Sequence, residues 1–137
     1  MHLPWCTQKC PYCDFNSHEG FTPELQKPYV NALLQDLDSQ LSGIDGRLVE
    51  SIFIGGGTPS LFSGEWIQRL LSGLAARIPF APGAEITLES NPGSAERGRY
   101  QAYREAGVTR LSIGVQSFNE AALSRLGRIH SGDDARQ

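Results

Sequence analysis

Nowhere in this 137-residue sequence does an apolar run approach the roughly 20 residues that cross a bilayer, which leaves membrane contact peripheral at most. A basic block is missing too. Twelve Lys and Arg stand against 15 Asp and Glu, for a formal net charge of −3, so electrostatics gives no argument for nucleic acid as a partner. Met1 to Trp5 is too short to be a secretory signal ahead of Cys6. Cysteine is scarce: the chain has three, all within the first 13 residues. That crowding is a poor plan for disulfide stapling and points to a reducing, cytoplasmic setting. Hydrophobic residues make up 39% and charged residues 20%, which excludes a disordered chain. With no linker, low-complexity segment or composition shift, a single domain over 1–137 is expected.

Apolar periodicity outlines the elements. Val30, Leu33, Leu34, Leu37 and Leu41 recur at helical spacing, with Pro28 suited to a first turn. Val49 to Ile54 reads as a buried strand that stops at three glycines. Ser63 is placed to cap a helix with the stripe Ile67, Leu70, Leu71, Leu74 and Ile78. "AEITLES" is a further strand ending near Glu89, followed by the breaker "NPGS". Ser94 is placed to cap a helix through Tyr100 and Tyr103 that stops at Gly107. "RLSIGVQS" is the last strand, and Asn119 caps a short helix ending at Gly127. With the short lead before Cys6, strand and helix alternate in about four units, which predicts an α/β fold with a parallel sheet. A closed eight-unit barrel takes about 250 residues, so the expectation is part of such a barrel or a small open sheet.

The polar and glycine motifs fall at the carboxyl ends of these strands, where α/β folds place their active sites. Cys6, Cys10 and Cys13 spell C-x-x-x-C-x-x-C after the first strand. Three thiolates on one short loop can hold three irons of a [4Fe–4S] cluster and leave the fourth iron open to a small molecule. A dithiol reading of Cys10-Pro11-Tyr12-Cys13 wants a helix N-terminus behind it, and "DFNSHEG" supplies none. A zinc site would need a fourth ligand, His2 or His18. Trp5, Tyr12 and Phe15 flank the thiols and can shield them from water or simply pack. Gly55, Gly56 and Gly57 lack the spacing of a phosphate-binding loop; they offer either a tight turn or backbone groups open to a ligand, with Thr58-Pro59 stiffening the exit. Glu89 can accept from a cationic or hydroxyl-bearing ligand, Gln116 suits a ribose or an amide edge, and Arg128 can clamp a carboxylate. His130 is expected to be exposed and unpaired.

The segments "HLPWCTQKCPYCDFNSH", "IFIGGGTPS", "ESNPG" and "RLSIGVQSFNEAALSRLGRIH" resemble the radical S-adenosylmethionine (SAM) superfamily, over nearly the whole chain. Within it they are similar to the branch of oxygen-independent coproporphyrinogen III oxidase (dehydrogenase), and most to its heme-chaperone members. The resemblance implies the N-terminal part of a partial (β/α) barrel. It assigns Cys6, Cys10 and Cys13 to a [4Fe–4S] cluster whose open iron is chelated by SAM. It assigns Gly55, Gly56, Gly57, Thr58, Glu89, Gln116 and Arg128 to SAM contacts. Family chemistry is reductive cleavage of SAM to methionine and a 5′-deoxyadenosyl radical, which in the dehydrogenase abstracts hydrogen from a porphyrinogen propionate. The dehydrogenase carries a fourth cysteine two positions past the third, where this sequence has Phe15; that departure matches the chaperones, which bind heme and pass it on. The implied partners are heme or a porphyrinogen, heme-acceptor proteins and an electron donor. A tyrosine that the family places ahead of the position of His2 is not represented, and further strands and a heme-linked C-terminal domain would follow Gln137. The chain is therefore expected to be an incomplete radical SAM core, with an unpaired edge strand and a tendency to aggregate.

Overall fold

The computed structural model describes residues 1–44, 46–93 and 98–136. Its elements are β1 (His2–Leu3), α1 (Gln26–Gln40), β2 (Val49–Gly56), α2 (Gly64–Ala75), β3 (Phe80–Ser90), α3 (Tyr100–Glu105), β4 (Arg110–Ile113), α4 (Glu120–Arg125) and α5 (Gly132–Arg136). The four strands form one sheet in the order β1-β2-β3-β4, and every pairing is parallel. The expected α/β fold is therefore present, as four strands with helical crossovers between them.

Side chains alternate across the sheet as a pleat requires. Ile52, Ile54, Ile86 and Leu88 are buried with Ile67, Leu70 and Leu71 of α2, Val30 of α1 and Tyr103 of α3. Phe53, between two of these, stands exposed on the other face. The stripes expected for α1 and α2 thus meet the sheet, although Ile78 lies beyond the end of α2.

The helix ends follow the chemistry of their caps. Ser63 Oγ accepts from Trp66 N at 3.5 Å, and Asn119 Oδ1 accepts from Ala122 N at 3.0 Å. Gly107 and Gly127 both take positive φ, 105° and 67°. After α3, Val108 N donates to Tyr103 O at 3.0 Å and Gly107 N to Arg104 O at 3.1 Å. After α4 the same pair recurs as Arg128 N to Leu123 O at 2.9 Å and Gly127 N to Ser124 O at 3.0 Å. Both are Schellman turns, in which a left-handed glycine throws the next residue back over the helix. Val108 goes into the core; Arg128 goes to the sheet edge. The cap expected at Ser94 falls outside the described residues.

Two boundaries differ from expectation. β3 begins at Phe80, ahead of "AEITLES", because Val49 already pairs with Phe80 before a register shift. β4 stops at Ile113, so Gln116 is not on a strand. After Gly114 the chain turns tightly twice, Val115 N to Ile113 O at 3.0 Å and Ser117 N to Val115 O at 2.9 Å. Gln116 takes φ 67° between them.

Candidate functional site

Leu3 pairs with Gly56, Ile54 with Leu88, Glu89 with Ser112 and Ser90 with Ile113. This register brings the carboxyl ends of all four strands into one row. The loops that leave them open on a cleft of about 280 Å³, lined by Cys6, Cys10, Cys13, Gly56, Gly57, Thr58, Glu89, Gln116 and Arg128 among others. Of the residues expected from sequence, Gly55 alone is outside this lining. It faces a neighbouring hollow with Met1, His2, Phe15 and Phe53.

The cysteine loop is fastened at its base by main-chain pairing. Cys6 N donates to His18 O at 2.8 Å, and His18 N to Pro4 O at 2.7 Å. Lys9 holds the middle. Its backbone N donates to Glu19 Oε1 at 2.7 Å, and its ammonium reaches Phe15 O at 3.2 Å and Ser17 O at 3.3 Å. His2 Nε2 bonds Asn16 O at 2.8 Å. Trp5 packs beneath the loop against Phe21, Tyr29 and Phe62, whereas Tyr12 and Phe15 stand 48% and 60% exposed. Burial and a hydrogen bond to Cys10 hold the Tyr12 phenol above its ordinary value, against the pull of Arg128.

All three cysteines are free and half-buried. Cys13 N donates to Cys10 O at 3.0 Å, a turn rather than a helix start, so the dithiol reading has no helix behind it. Among the described residues no three His, Cys, Asp or Glu side chains are gathered tightly enough to share one metal ion. His2, bonded to Asn16 O, does not complete a zinc set. A four-iron cluster takes its thiolates on three different irons, so its ligand sulfurs stand farther apart than ligands on a single ion. Three thiols spread around one cleft fit that donor set.

The glycines are required by close approach. A Cβ on Gly57 would lie 2.5 Å from Trp5 O and 2.8 Å from Pro4 O. Gly56 takes φ 125°, and its Cβ would meet His2 Nδ1 at 2.7 Å. The amide donors are used within the protein: Gly55 N to Met1 O at 3.0 Å, Gly57 N to Leu3 O at 2.8 Å and Thr58 N to Trp5 O at 2.6 Å. Gly56 N donates to Glu89 Oε2 at 3.1 Å. The N–H groups of the glycine turn are therefore taken by the carbonyls of Met1, Leu3 and Trp5 and by the Glu89 carboxylate.

Arg128 is the hub of the opposite wall. Its Nη2 donates to Asn91 Oδ1 at 2.6 Å and Gly114 O at 2.7 Å, and its Nη1 lies 3.5 Å from both Cys10 Sγ and the Tyr12 hydroxyl. Its Nε is buried and has no partner among the described residues. A donor left in this way on the wall of a cleft fits an anionic group entering it. Asn91 also donates from Nδ2 to Thr58 Oγ1 at 3.2 Å. Sequence reasoning read "NPG" as a breaker and missed Asn91. The signal was its place two residues after Glu89, on the same side of an extended chain.

His130, expected to be exposed, is 7% exposed, and its Nε2 bonds Val115 O at 3.0 Å. The carbonyl needs a donor, so Nε2 carries the proton and Nδ1, also buried, has no partner among the described residues. Burial first, then the Arg128 charge, lower its pKa from the ordinary 6.5, against the hydrogen bond to Val115 O and the charges of Asp134 and Glu120, which pull the other way. The folded protein therefore resists a proton that the unfolded chain accepts. Stability from this group is complete above about pH 6.5 and is lost as pH falls through the lowered value. Chemical denaturation at pH 7.5 and 5.5 is expected to show a larger loss for the wild type than for His130→Gln, which keeps a donor but cannot titrate.

Fold and site together define a parallel α/β protein whose strand ends bring three thiols and a polar cleft to one edge. The chain belongs to the radical SAM superfamily, which it matches over residues 1–137. It is 56% identical to the heme chaperone HemW of Escherichia coli (strain K12), over 100% of this chain and 36% of that protein. It is 51% identical to HemW of Haemophilus influenzae, over 99% of this chain and 37% of the relative. The mitochondrial radical S-adenosyl methionine domain-containing protein 1 of Mus musculus is 41% identical over 98% of this chain. Among solved structures, coproporphyrinogen III oxidase (HemN) from Escherichia coli, described as a radical SAM enzyme, superposes with a TM-score of 0.87. It is 30% identical over 98% of this chain and 31% of that one. The chain thus spans about a third of the length of these relatives. Among the described residues no helix is long and apolar enough to cross a membrane.

Proposed function

We propose that this chain is the cluster- and SAM-binding part of a heme chaperone. The observation that carries the reading is the convergence of Cys6, Cys10 and Cys13 with Glu89, Gln116 and Arg128 on one cleft. The 56% identity to HemW supports heme as the cargo. Cys6, Cys10 and Cys13 hold the [4Fe–4S] cluster, and Glu89, Gln116, Arg128, Thr58 and the glycine turn surround SAM. A cluster with an open iron, when bound, supplies a single electron to the SAM sulfonium. When SAM is bound, the Arg128 guanidinium would suit its carboxylate, Glu89 its ammonium, and Gln116, with one donor and one acceptor end, its ribose. Heme-acceptor proteins and an electron donor are the partners, in a cytoplasmic setting.

The test is reconstitution of the full-length protein under anaerobic conditions, with SAM and a reductant supplied. Iron and sulfide are measured first, then EPR of the reduced protein with and without SAM, then titration with heme. Stable heme binding and no turnover of coproporphyrinogen III are expected. Formation of protoporphyrinogen IX would replace this reading with that of a coproporphyrinogen III dehydrogenase, which the structural likeness to HemN favours.

Gln116 separates binding from folding. A left-handed non-glycine residue costs about 1 kcal/mol, and such strain collects at functional sites. Gln116→Gly is expected to melt at the same temperature or higher, while affinity for SAM, read by equilibrium dialysis, falls about tenfold.

A further inference from the structure

The two side-chain hydrogen bonds of Asn91 run one way. Arg128 Nη2 donates to Asn91 Oδ1 at 2.6 Å, and Asn91 Nδ2 donates to Thr58 Oγ1 at 3.2 Å. The Thr58 hydroxyl, already an acceptor, turns its proton toward Cys6 Sγ 3.7 Å away. Arginine has only donors, so its contact decides which end of the Asn91 amide carries the oxygen, and that decides the sense of the next two bonds. From the same guanidinium, Nη1 reaches Cys10 Sγ at 3.5 Å. One cation therefore supplies a donor to two of the three sulfurs, directly at Cys10 and by relay at Cys6. Aligned donors polarise one another, more so where water is kept out, and Thr58 is only 6% exposed.

We propose that Asn91 is a positioning residue that ties Arg128 to both sulfurs and so sets the reduction potential of the iron–sulfur group they hold. The proposal rests on the reading of Cys6, Cys10 and Cys13 as cluster ligands. Donors aimed at ligand sulfurs stabilise the added negative charge of the reduced state and raise its potential. Asn91 acts through Thr58 and Arg128, neither of which bonds iron. Because the relay runs in series, its members are energetically coupled, and their effects on the potential do not add.

An EPR-monitored redox titration of the reconstituted protein, with iron and sulfide content measured alongside, tests this. Thr58→Val, close in shape, removes the hydroxyl proton from Cys6 and is expected to lower the midpoint potential. Thr58→Ser keeps the hydroxyl and is expected to titrate at the wild-type value. Asn91→Ala lowers the potential at least as far as Thr58→Val, and the double variant goes no lower than Asn91→Ala alone. Wild-type potentials in a fully loaded Thr58→Val protein would overturn the relay, as would additive shifts in the double variant. Should Asn91→Ala not fold, the Thr58→Val and Thr58→Ser pair decides alone. A wild type that takes up no iron or sulfide overturns the cluster reading itself and this inference with it.

Discussion

Replacing Gly57 with alanine will unfold the cysteine loop from the sheet. The new methyl carbon would sit 2.5 Å from Trp5 O and 2.8 Å from Pro4 O, and neither carbonyl is a side chain that can swing aside. Relief requires moving the segment that leads into Cys6, which breaks the bonds from Gly57 N to Leu3 O and from Thr58 N to Trp5 O. Overpacking of this kind costs about 3 kcal/mol. A matched control is Gly43→Ala, where nothing lies within 4 Å of the added carbon; that change is expected to stay within about 0.5 kcal/mol. Denaturant unfolding of the two variants, with iron content after reconstitution, makes the comparison. Equal stability of the two would show that the close approach is not what the glycine serves.

Cys6→Ala will abolish cluster binding while leaving Cys10-Pro11-Tyr12-Cys13 intact. If the pair Cys10 and Cys13 worked as a redox dithiol, this variant would keep its activity and need no iron. On the proposed reading of Cys6 as one of three ligands, its removal takes away an iron's anchor, and iron and sulfide should fall to background. Little change in the fold is expected, because Cys6 is held through its backbone N to His18 O rather than through sulfur. Circular dichroism unchanged from wild type, beside the loss of visible absorption, is the combined result that checks it.

How far these conclusions could be read from sequence depended on the range of the interactions. Ser63, Asn119, Gly107 and Gly127 were legible as caps and stops because each acts within one helical turn. The recurrence of strand then helix gave the parallel sheet, and the strand-end positions of the thiols, Thr58 and Glu89 gave most of the cleft. Long-range partners were not legible. His130 carries no local mark of the Val115 carbonyl it meets across the β4 turn. β1 is two residues long, too short for a pattern, so nothing signalled that Met1 O, just before it, and Leu3 O, at its end, take the amides of Gly55 and Gly57. The short helix α5 could have been read: Ser131 Oγ accepts from Asp134 N at 3.0 Å, and Asp134 Oδ2 accepts from Ser131 N at 2.9 Å. That Ser-x-x-Asp pair is a capping box in miniature.

The parallel sheet also gives the molecule a blind side. The cleft lies at the carboxyl ends of the strands, so the turns that feed the amino ends, from α1 into β2 and from α2 into β3, contribute nothing to its lining. Length added to a flexible surface turn costs little, about 0.6 kcal/mol for each doubling. Gly43, where an added Cβ would meet nothing within 4 Å, is therefore where this protein is expected to accommodate an insertion, a tag or a fused reporter without disturbing the cleft. On the opposite edge a single added residue between Gly56 and Thr58 would reverse which side of the chain faces the thiols. Related sequences are expected to differ in length on the first edge and to match in length on the second.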